Sequence, residues 1–445
     1  MNVARWIPSL RSDFAAAQGY LAHWPMRGEA DIAPMQLAKV AASWRDAVGD
    51  VPYYRDLVAT GRAPARIASW QDYHAIPVLD RATLRGEAAR FIRLSGPPHE
   101  SMQTAGSTGN PIRFGVWADE GRPQRIAKQA AWIRCGYRLG SDIVLVWGHS
   151  HLLGTGVRGW INHARRFAKD RCVGYHRIDA YTLGPADCRG IGERIARIRP
   201  VGVIGYASAL DLIARHAEAL RERIRAAGVR FVMTTAEPLP RPDTRARLRD
   251  LFANATLVEE FGGVEFGQVG ARFDEGAWLL YPDLNILEAS EAPDEPQGHG
   301  LLVTTLYRRY TPLFRYRQGD LVSGPRRLPT GQLAGFEGLA GRSADMVTMP
   351  DGRSVHSVAF FHCIHQEAGV RNIQMVLEDA GPRLKLVVDG NADDGLEARI
   401  RQRLAQVHAS LAHAPIERVH DVATNAAGKR RWFADRRSQR PGSAP

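Results

Sequence analysis

Between residues 142 and 263 the chain alternates short apolar runs with stretches of helical periodicity, and this rhythm constrains the fold more than any other feature. DIVLVW (142–147), VGYHRID (173–179), VGVIGYA (201–207), RFVMTTA (230–236) and ATLVEEFG (255–262) read as strands. GIGERIARIRP (190–200), ALDLIARHAEALRERIRAAG (209–228) and RPDTRARLRDLF (241–252) read as helices between them, the second as one continuous helix. Strands that are apolar almost throughout need cover on both faces, and helices on either side of a parallel sheet supply it. The expectation is a layered α/β domain.

The flanks read differently. Residues 1–95 are helical in pattern, as in LAKVAASWRDAVGDVPYYRDLVAT (37–60) with apolar residues at 3–4 spacing. After residue 270, AWLLYPDLNILEA (277–289) and LLVTTLYRRYTPLFRYRQGDLVSG (301–324) predict a β-rich subdomain. The Gly- and Pro-containing stretch 325–341 reads as a linker. Beyond it NIQMVLEDAGPRLKLVVDG predicts a hairpin and LEARIRQRLAQVHASLA (396–412) a helix, together a small α+β domain. We therefore place a large N-terminal domain at 1–341 and a C-terminal domain at 342–445.

Composition narrows the class. With 44% apolar and 24% charged residues the chain is neither disordered nor collagenous. Its four cysteines form no CxxC pair, which argues against a zinc ribbon, an iron–sulfur cluster or a thioredoxin-like site. The net charge is +12, but only five of the 59 basic residues are lysine (39, 128, 169, 385 and 429) and arginine is spread throughout. That is an arginine-biased surface and not a nucleic-acid patch; no nucleic-acid partner is expected. No stretch reaches the ~18 apolar residues of a membrane span, and Arg5, Arg11 and Asp13 interrupt any leader. The expectations are a cytoplasmic location and no membrane partner, with monomer and homodimer both open.

Several segments carry candidate chemistry. In TAGSTGNP (104–111) three hydroxyl residues and two glycines make a loop whose N–H groups can cradle phosphate oxygens, although GxxxxGK[ST] is absent. GTGVRG (154–159) fits GxGxxG, but HSHLL separates it from the preceding strand, against dinucleotide binding. His149 with His151, and His362, Cys363 and His365, lack the further ligands a metal cage requires. Polar islands TTAEPLP (234–240), EEFGGVEFG (259–267), RYRQGDL (315–321), GRSADM (341–346) and AAGKRR (426–431) follow strands, where α/β sheets bind ligands.

Taken in this order, the islands resemble the motifs of the adenylate-forming superfamily of acyl- and aryl-CoA ligases. The similarity is greatest to the phenylacetate–CoA ligase family and its relatives near capsule and exopolysaccharide genes, over residues 70–433. TAGSTGNP resembles the family's phosphate loop, TTAEPLP its adenine segment and EEFGGVEFG its magnesium motif; RYRQGD resembles its ribose aspartate, GRSADM its hinge and AAGKRR its terminal lysine motif. The resemblance implies ATP, Mg²⁺ and CoA, no zinc, a small-molecule carboxylic acid substrate, and a mobile C-terminal domain. Site residues then follow by position. Lys429 and Glu265 are catalytic, with Glu265 on Mg²⁺. Thr104, Ser107, Thr108, Gly109, Ala236, Glu237, Pro238, Phe261, Gly262, Asp320 and Arg342 bind ATP, and Asp345 is the hinge. Trp147, His149, His151 and Tyr206 line the acid pocket, which suits an aromatic or small polar acid. Two departures stand out: Asn110 occupies the usual phosphate-loop lysine position and Phe261 that of a tyrosine. An acceptor other than CoA (an amine, a sugar or a carrier protein) is the alternative, and a degenerate ATP-binding relative a weaker one.

Overall fold

The computed structural model describes residues 3–24, 28–103, 113–147, 156–178, 183, 185–291, 298–342, 346–348, 354–356, 364, 367, 369–379, 381–388, 395–420, 422 and 433–436. The chain divides into two compact units. One gathers Met1–Thr104, Pro111–Leu239 and Asp243–Gly341, and the other is built chiefly from Arg342–Pro445.

The centre of the first unit is a seven-stranded sheet. Its strands are β1 (Ile143–Val146), β2 (Tyr175–Ile178), β3 (Gly202–Tyr206), β4 (Phe231–Thr235), β5 (Thr256–Gly263), β6 (Gly267–Phe273) and β7 (Trp278–Leu280). In space the order is β7-β6-β5-β4-β3-β1-β2; β2 to β5 pair in parallel through β1, while β6 and β7 add antiparallel. The apolar runs explain the burial. Side chains alternate between faces, so Val144, Val146, Val203 and Val232 enter one core with helical Ile191, Ile195 and Ile213. Ile143, Ile204, Phe231 and Met233 enter the other with Ala127, Ala130 and Trp132. Each fully buried side chain of this size stabilises the fold by about 1.5–3 kcal/mol.

A second sheet contains β8 (Asn285–Ala289), β9 (His299–Thr305) and β10 (Tyr316–Ser323), antiparallel in sequence, with Leu79–Asp80 added in parallel to β10. The N-terminal helices clamp the two sheets. Trp24 donates its indole N–H to the Leu280 carbonyl at 2.6 Å, and the Tyr54 hydroxyl donates to the Pro312 carbonyl at 2.8 Å. The second unit holds a four-stranded sheet in which Val370–Glu378 and Gly381–Val388 form the expected hairpin, covered by the helix Leu396–Val407.

Three expectations are corrected. The stretch 209–228 is not one helix: Ala207–His216 is followed by a 3₁₀ turn at Glu218–Leu220 and then Arg221–Ala226. The break lets both pieces wrap around Gly192, where an added Cβ would meet Ala217 and Leu220 at 3.0 Å. The segment 325–341 is no linker: Arg326–Arg327 pairs with Leu333–Gly335, Gly338–Arg342 joins β10, and Phe336 is fully buried. Its Gly and Pro residues serve tight turns inside a packed sheet. The C-terminal helix ends at Val407, where His408 turns extended (φ −160°) and a 3₁₀ turn, Ala409–His413, follows.

Candidate functional site

The chain runs first through β1, then places β2 on one side of it and β3 on the other. Such a reversal opens a crevice beyond the carboxyl ends of the two strands. The strands approach closely there because Gly205 is opposite Val146: a Cβ on Gly205 would lie 2.8 Å from the Val146 carbonyl oxygen. Immediately past the ends, the rings of Trp147 and Tyr206 stack with centroids 4.3 Å apart and planes 25° apart. Both are half-buried, so the pair presents a flat aromatic wall. The structure thus brings together two of the four expected acid-pocket residues. His149 and His151 lie outside the described residues.

One strand further, β4 ends level with β3, with Thr235 opposite Tyr206. Ala236 then adopts φ 71°, a left-handed conformation that a residue with a Cβ rarely occupies. Strain of this kind persists where surrounding structure over-determines it, and it concentrates at ligand sites. The turn aims Glu237 back across the crevice, where its carboxylate accepts a 2.7 Å hydrogen bond from the backbone N–H of Ser208. Ser208 lies in the first turn of the helix Ala207–His216, whose exposed N–H groups and dipole favour an anion. Glu237 therefore holds the strand exit to the helix that begins at the aromatic wall.

Sequence reasoning missed the support behind this turn. The Thr235 hydroxyl donates to Glu260 at 3.1 Å, and the Lys128 ammonium lies 3.5 Å from the same carboxylate, which is buried. The adjacent Glu259-Glu260 pair was the available signal, since one member of such a pair must face a sheet surface.

Glycines shape the next strand end. At Gly262 a Cβ would meet the Gly267 carbonyl oxygen at 2.6 Å, and at Gly263 it would meet the Phe266 ring at 2.6 Å. The pair permits the tight β5–β6 turn that carries Glu265. Glu265 is 3% exposed and makes no hydrogen bond or ion pair among the described residues. Phe261, expected among the ATP-binding residues, is buried and packs with Phe266, Trp278 and Phe336 at centroid distances of 6.2, 6.2 and 6.5 Å. Asp320 is buried on β10 of the second sheet beside Gly319 at φ 96°, and Val322 of the same strand shares a core with Phe261. Arg342 closes the strand Gly338–Arg342. Thr104, Ser107, Thr108, Gly109, Asn110, Asp345 and Lys429 lie outside the described residues.

Among the described residues no three His, Cys, Asp or Glu side chains gather into a metal cage. Glu265 is a single buried carboxylate at a strand end, a donor of the type that holds Mg²⁺ together with substrate phosphates.

No protein-family model and no curated protein sequence matches the chain. Solved structures do. A 2-hydroxyisobutyryl-CoA ligase in the postadenylation state, in complex with R3-HIB-AMP, aligns with a TM-score of 0.63 at 18% identity, covering 90% of this chain and 88% of that one. The same ligase with 2-HIB-AMP and CoA in the thioesterification state aligns at 0.58 with 20% identity, covering 93% and 91%. The chain shares its fold with this CoA ligase. The shared fold spans both units of this chain, the large one with its parallel sheet and the small α+β one.

Proposed function

We propose that the protein activates a carboxylic acid with ATP, releasing pyrophosphate and forming an acyl-adenylate, and then passes the acyl group to CoA. The observation that carries this reading is the crevice at the β1/β3 reversal on an adenylate-forming fold, with the Trp147–Tyr206 wall on one side and the Ala236–Glu237–Pro238 turn on the other. The aligned ligase with CoA bound in its thioesterification state supports CoA as acceptor.

In this reading the acid lies flat against Trp147 and Tyr206, which favours a compact or aromatic acid over a long chain. Thr104, Ser107, Thr108 and Gly109 receive the phosphates, Ala236, Glu237 and Pro238 flank the adenine, and Asp320 accepts from the ribose hydroxyls. Gly262 keeps the neighbouring backbone narrow enough for the nucleotide to approach. Glu265 holds Mg²⁺, which when bound neutralises charge on the phosphate oxygens. Attack by the acid oxygen on the α-phosphorus breaks the bond to the β-phosphate bridge, and the departing pyrophosphate takes the electron pair. The transition state gathers charge on oxygen, so positioned donors and the Lys429 ammonium provide most of the stabilisation.

The test is ATP–pyrophosphate exchange across a panel of aromatic and small hydroxylated acids, followed by mass spectrometry of products with and without CoA. Acid-dependent exchange and a CoA thioester support the proposal. Exchange without a thioester moves the acceptor to an amine, sugar or carrier protein, and no exchange with any acid overturns the reading.

Tyr206→Ala removes half of the aromatic wall. A stacked aromatic contact contributes about 0.5–1.5 kcal/mol beyond its area, so the expected result is a KM for the acid raised roughly tenfold. The KM for ATP stays unchanged, measured by steady-state pyrophosphate release. An equal rise for both substrates removes Tyr206 from the acid pocket.

A further inference from the structure

Beyond the aromatic wall the strand ends carry a charged pair outside the residues assigned to ATP, Mg²⁺ or the acid. Tyr206, Thr235 and Glu260 stand side by side in register across β3, β4 and β5. The backbones of Tyr206 and Glu260 therefore lie two strand spacings apart, about 10 Å. Two residues earlier on the same strands, Met233 and Val258 enter the apolar core with Ala127 and Ala130 of the helix Gly121–Arg134. Side chains two apart share a face, so Thr235 and Glu260 continue that face past the core. Lys128 of the same helix meets them there.

The acid of this pair is only half satisfied. Its neighbour Glu259 points to the other face, where Arg245 of the helix Thr244–Leu251 holds it. The Glu260 side chain is 1% exposed, and both of its partners are on one oxygen. The Thr235 hydroxyl donates to Oε2 at 3.1 Å, and the Lys128 ammonium lies 3.5 Å from Oε2. Oε1 is buried and accepts no hydrogen bond among the described residues. Buried polar atoms are almost always paired, so a bare carboxylate oxygen beside a crevice points to a ligand that brings a donor. Lys128 stands over the Trp132 ring at 5.7 Å and its side chain is 32% exposed; an ammonium carries three donors.

The chemistry of the missing group follows. Set between the two, it must donate to Oε1 and accept from the ammonium, and a hydroxyl does both. A methyl group leaves Oε1 bare, and a second ammonium is repelled by Lys128. A ring amine donates but accepts poorly, because its lone pair is drawn into the ring. At the other end of the row the flat wall of Trp147 and Tyr206 calls for an aromatic ring. We propose that Glu260 and Lys128 determine specificity, selecting an aromatic carboxylic acid with a hydroxyl on its ring, the ring against the wall and the hydroxyl between carboxylate and ammonium. This rests on the adenylation reading and names its substrate class through two residues that no motif resemblance assigned.

The test measures acid-dependent ATP–pyrophosphate exchange with benzoic and phenylacetic acids bearing a hydroxyl, methyl, amino or aminomethyl group on the ring. The kcat/KM of the best hydroxy acid is expected to exceed that of its methyl counterpart roughly a hundredfold. Glu260→Gln, which keeps the size and an acceptor for Thr235, cuts this ratio at least tenfold. Lys128→Met keeps the aliphatic stem and shifts selectivity at least tenfold toward the aminomethyl acid, whose ammonium takes the vacated place. Should Glu260→Gln fold poorly, Lys128→Met at its partly exposed position carries the same decision, since a gain with one substrate is not a folding defect. A mere brace for the Ala236 turn would slow all the acids alike and leave both ratios unchanged, which overturns the proposal. Exchange that favours methyl or unsubstituted acids also overturns it while leaving adenylation standing. No exchange with any acid overturns both.

Discussion

Lys429→Ala is expected to slow acyl-adenylate formation by about 10²–10³-fold, the scale of losing one donor to a charged transition state. Lysine is a rare choice in this chain, five positions among 59 basic residues, and one of them follows Ala-Ala-Gly at 426–428. A compact ammonium fits between a carboxylate and a phosphate as a point charge, where a forked guanidinium is larger and directional. Lys429→Arg therefore rescues little. Transfer to CoA from a supplied acyl-adenylate stays nearly unaffected if the C-terminal domain alternates between the two half-reactions, as the resemblance implies. Asp345→Pro, which stiffens the expected hinge, gives the opposite pattern. Rapid-quench measurement of each half-reaction decides the matter: equal slowing of both by Lys429→Ala removes the lysine from an adenylation-specific role.

Glu288→Ala is expected to destabilise the first unit by about 3–5 kcal/mol in urea unfolding, because it leaves a guanidinium with no counter-charge. The Arg315 Nη2 donates to Glu288 at 3.0 Å, and the same guanidinium donates to the carbonyls of His74 and Ile76 at 2.6 and 2.7 Å. The Tyr73 hydroxyl donates to Glu288 at 2.7 Å and His74 Nδ1 lies at 3.3 Å. Burial alone would push the Glu288 carboxyl up, but the hydrogen bond from His74 and the charge of Arg315 outweigh it and hold it below its ordinary value of 4.5. The hydrogen bond to Glu288 likewise holds His74 above its ordinary 6.5.

The signs follow by linkage. Glu288 contributes stability that is present above pH 4.5 and lost as pH falls through its lowered folded value. His74 contributes stability that is present below pH 6.5 and lost as pH rises through its raised one. The cluster is most stabilising between the two. His74→Gln flattens the alkaline limb of the stability–pH curve, and an unchanged limb would show that His74 carries no charge in the folded state.

How much of this was legible depends on the range of the interaction. Three of the five parallel strands, β1, β3 and β4, were readable because each is an apolar run whose two faces both need cover, a property of six or seven consecutive residues. The β-hairpin of the second unit was readable for a similar reason. The segment 325–341 was not: Leu328, Leu333 and Phe336 are buried only because a distant sheet passes beside them, and local Gly/Pro content pointed the other way. The break at Ala217 was hidden for the same reason, since its cause is Gly192 on another helix.

At the candidate site the chain's own order of residues determined which motifs exist: the strand-end polar islands, the glycine pair at 262 and 263, and Glu265 just beyond it. Tertiary structure decided what they do together. Only the strand order puts Trp147 and Tyr206, 59 positions apart in the sequence, face to face at 4.3 Å. Only packing set Phe261 among Phe266, Trp278 and Phe336, and gave Glu237 the Ser208 N–H as its partner. Motif residues are local covalent facts; contacts between strand ends depend on which strands pair, and that is fixed by the collective burial of both sheet faces.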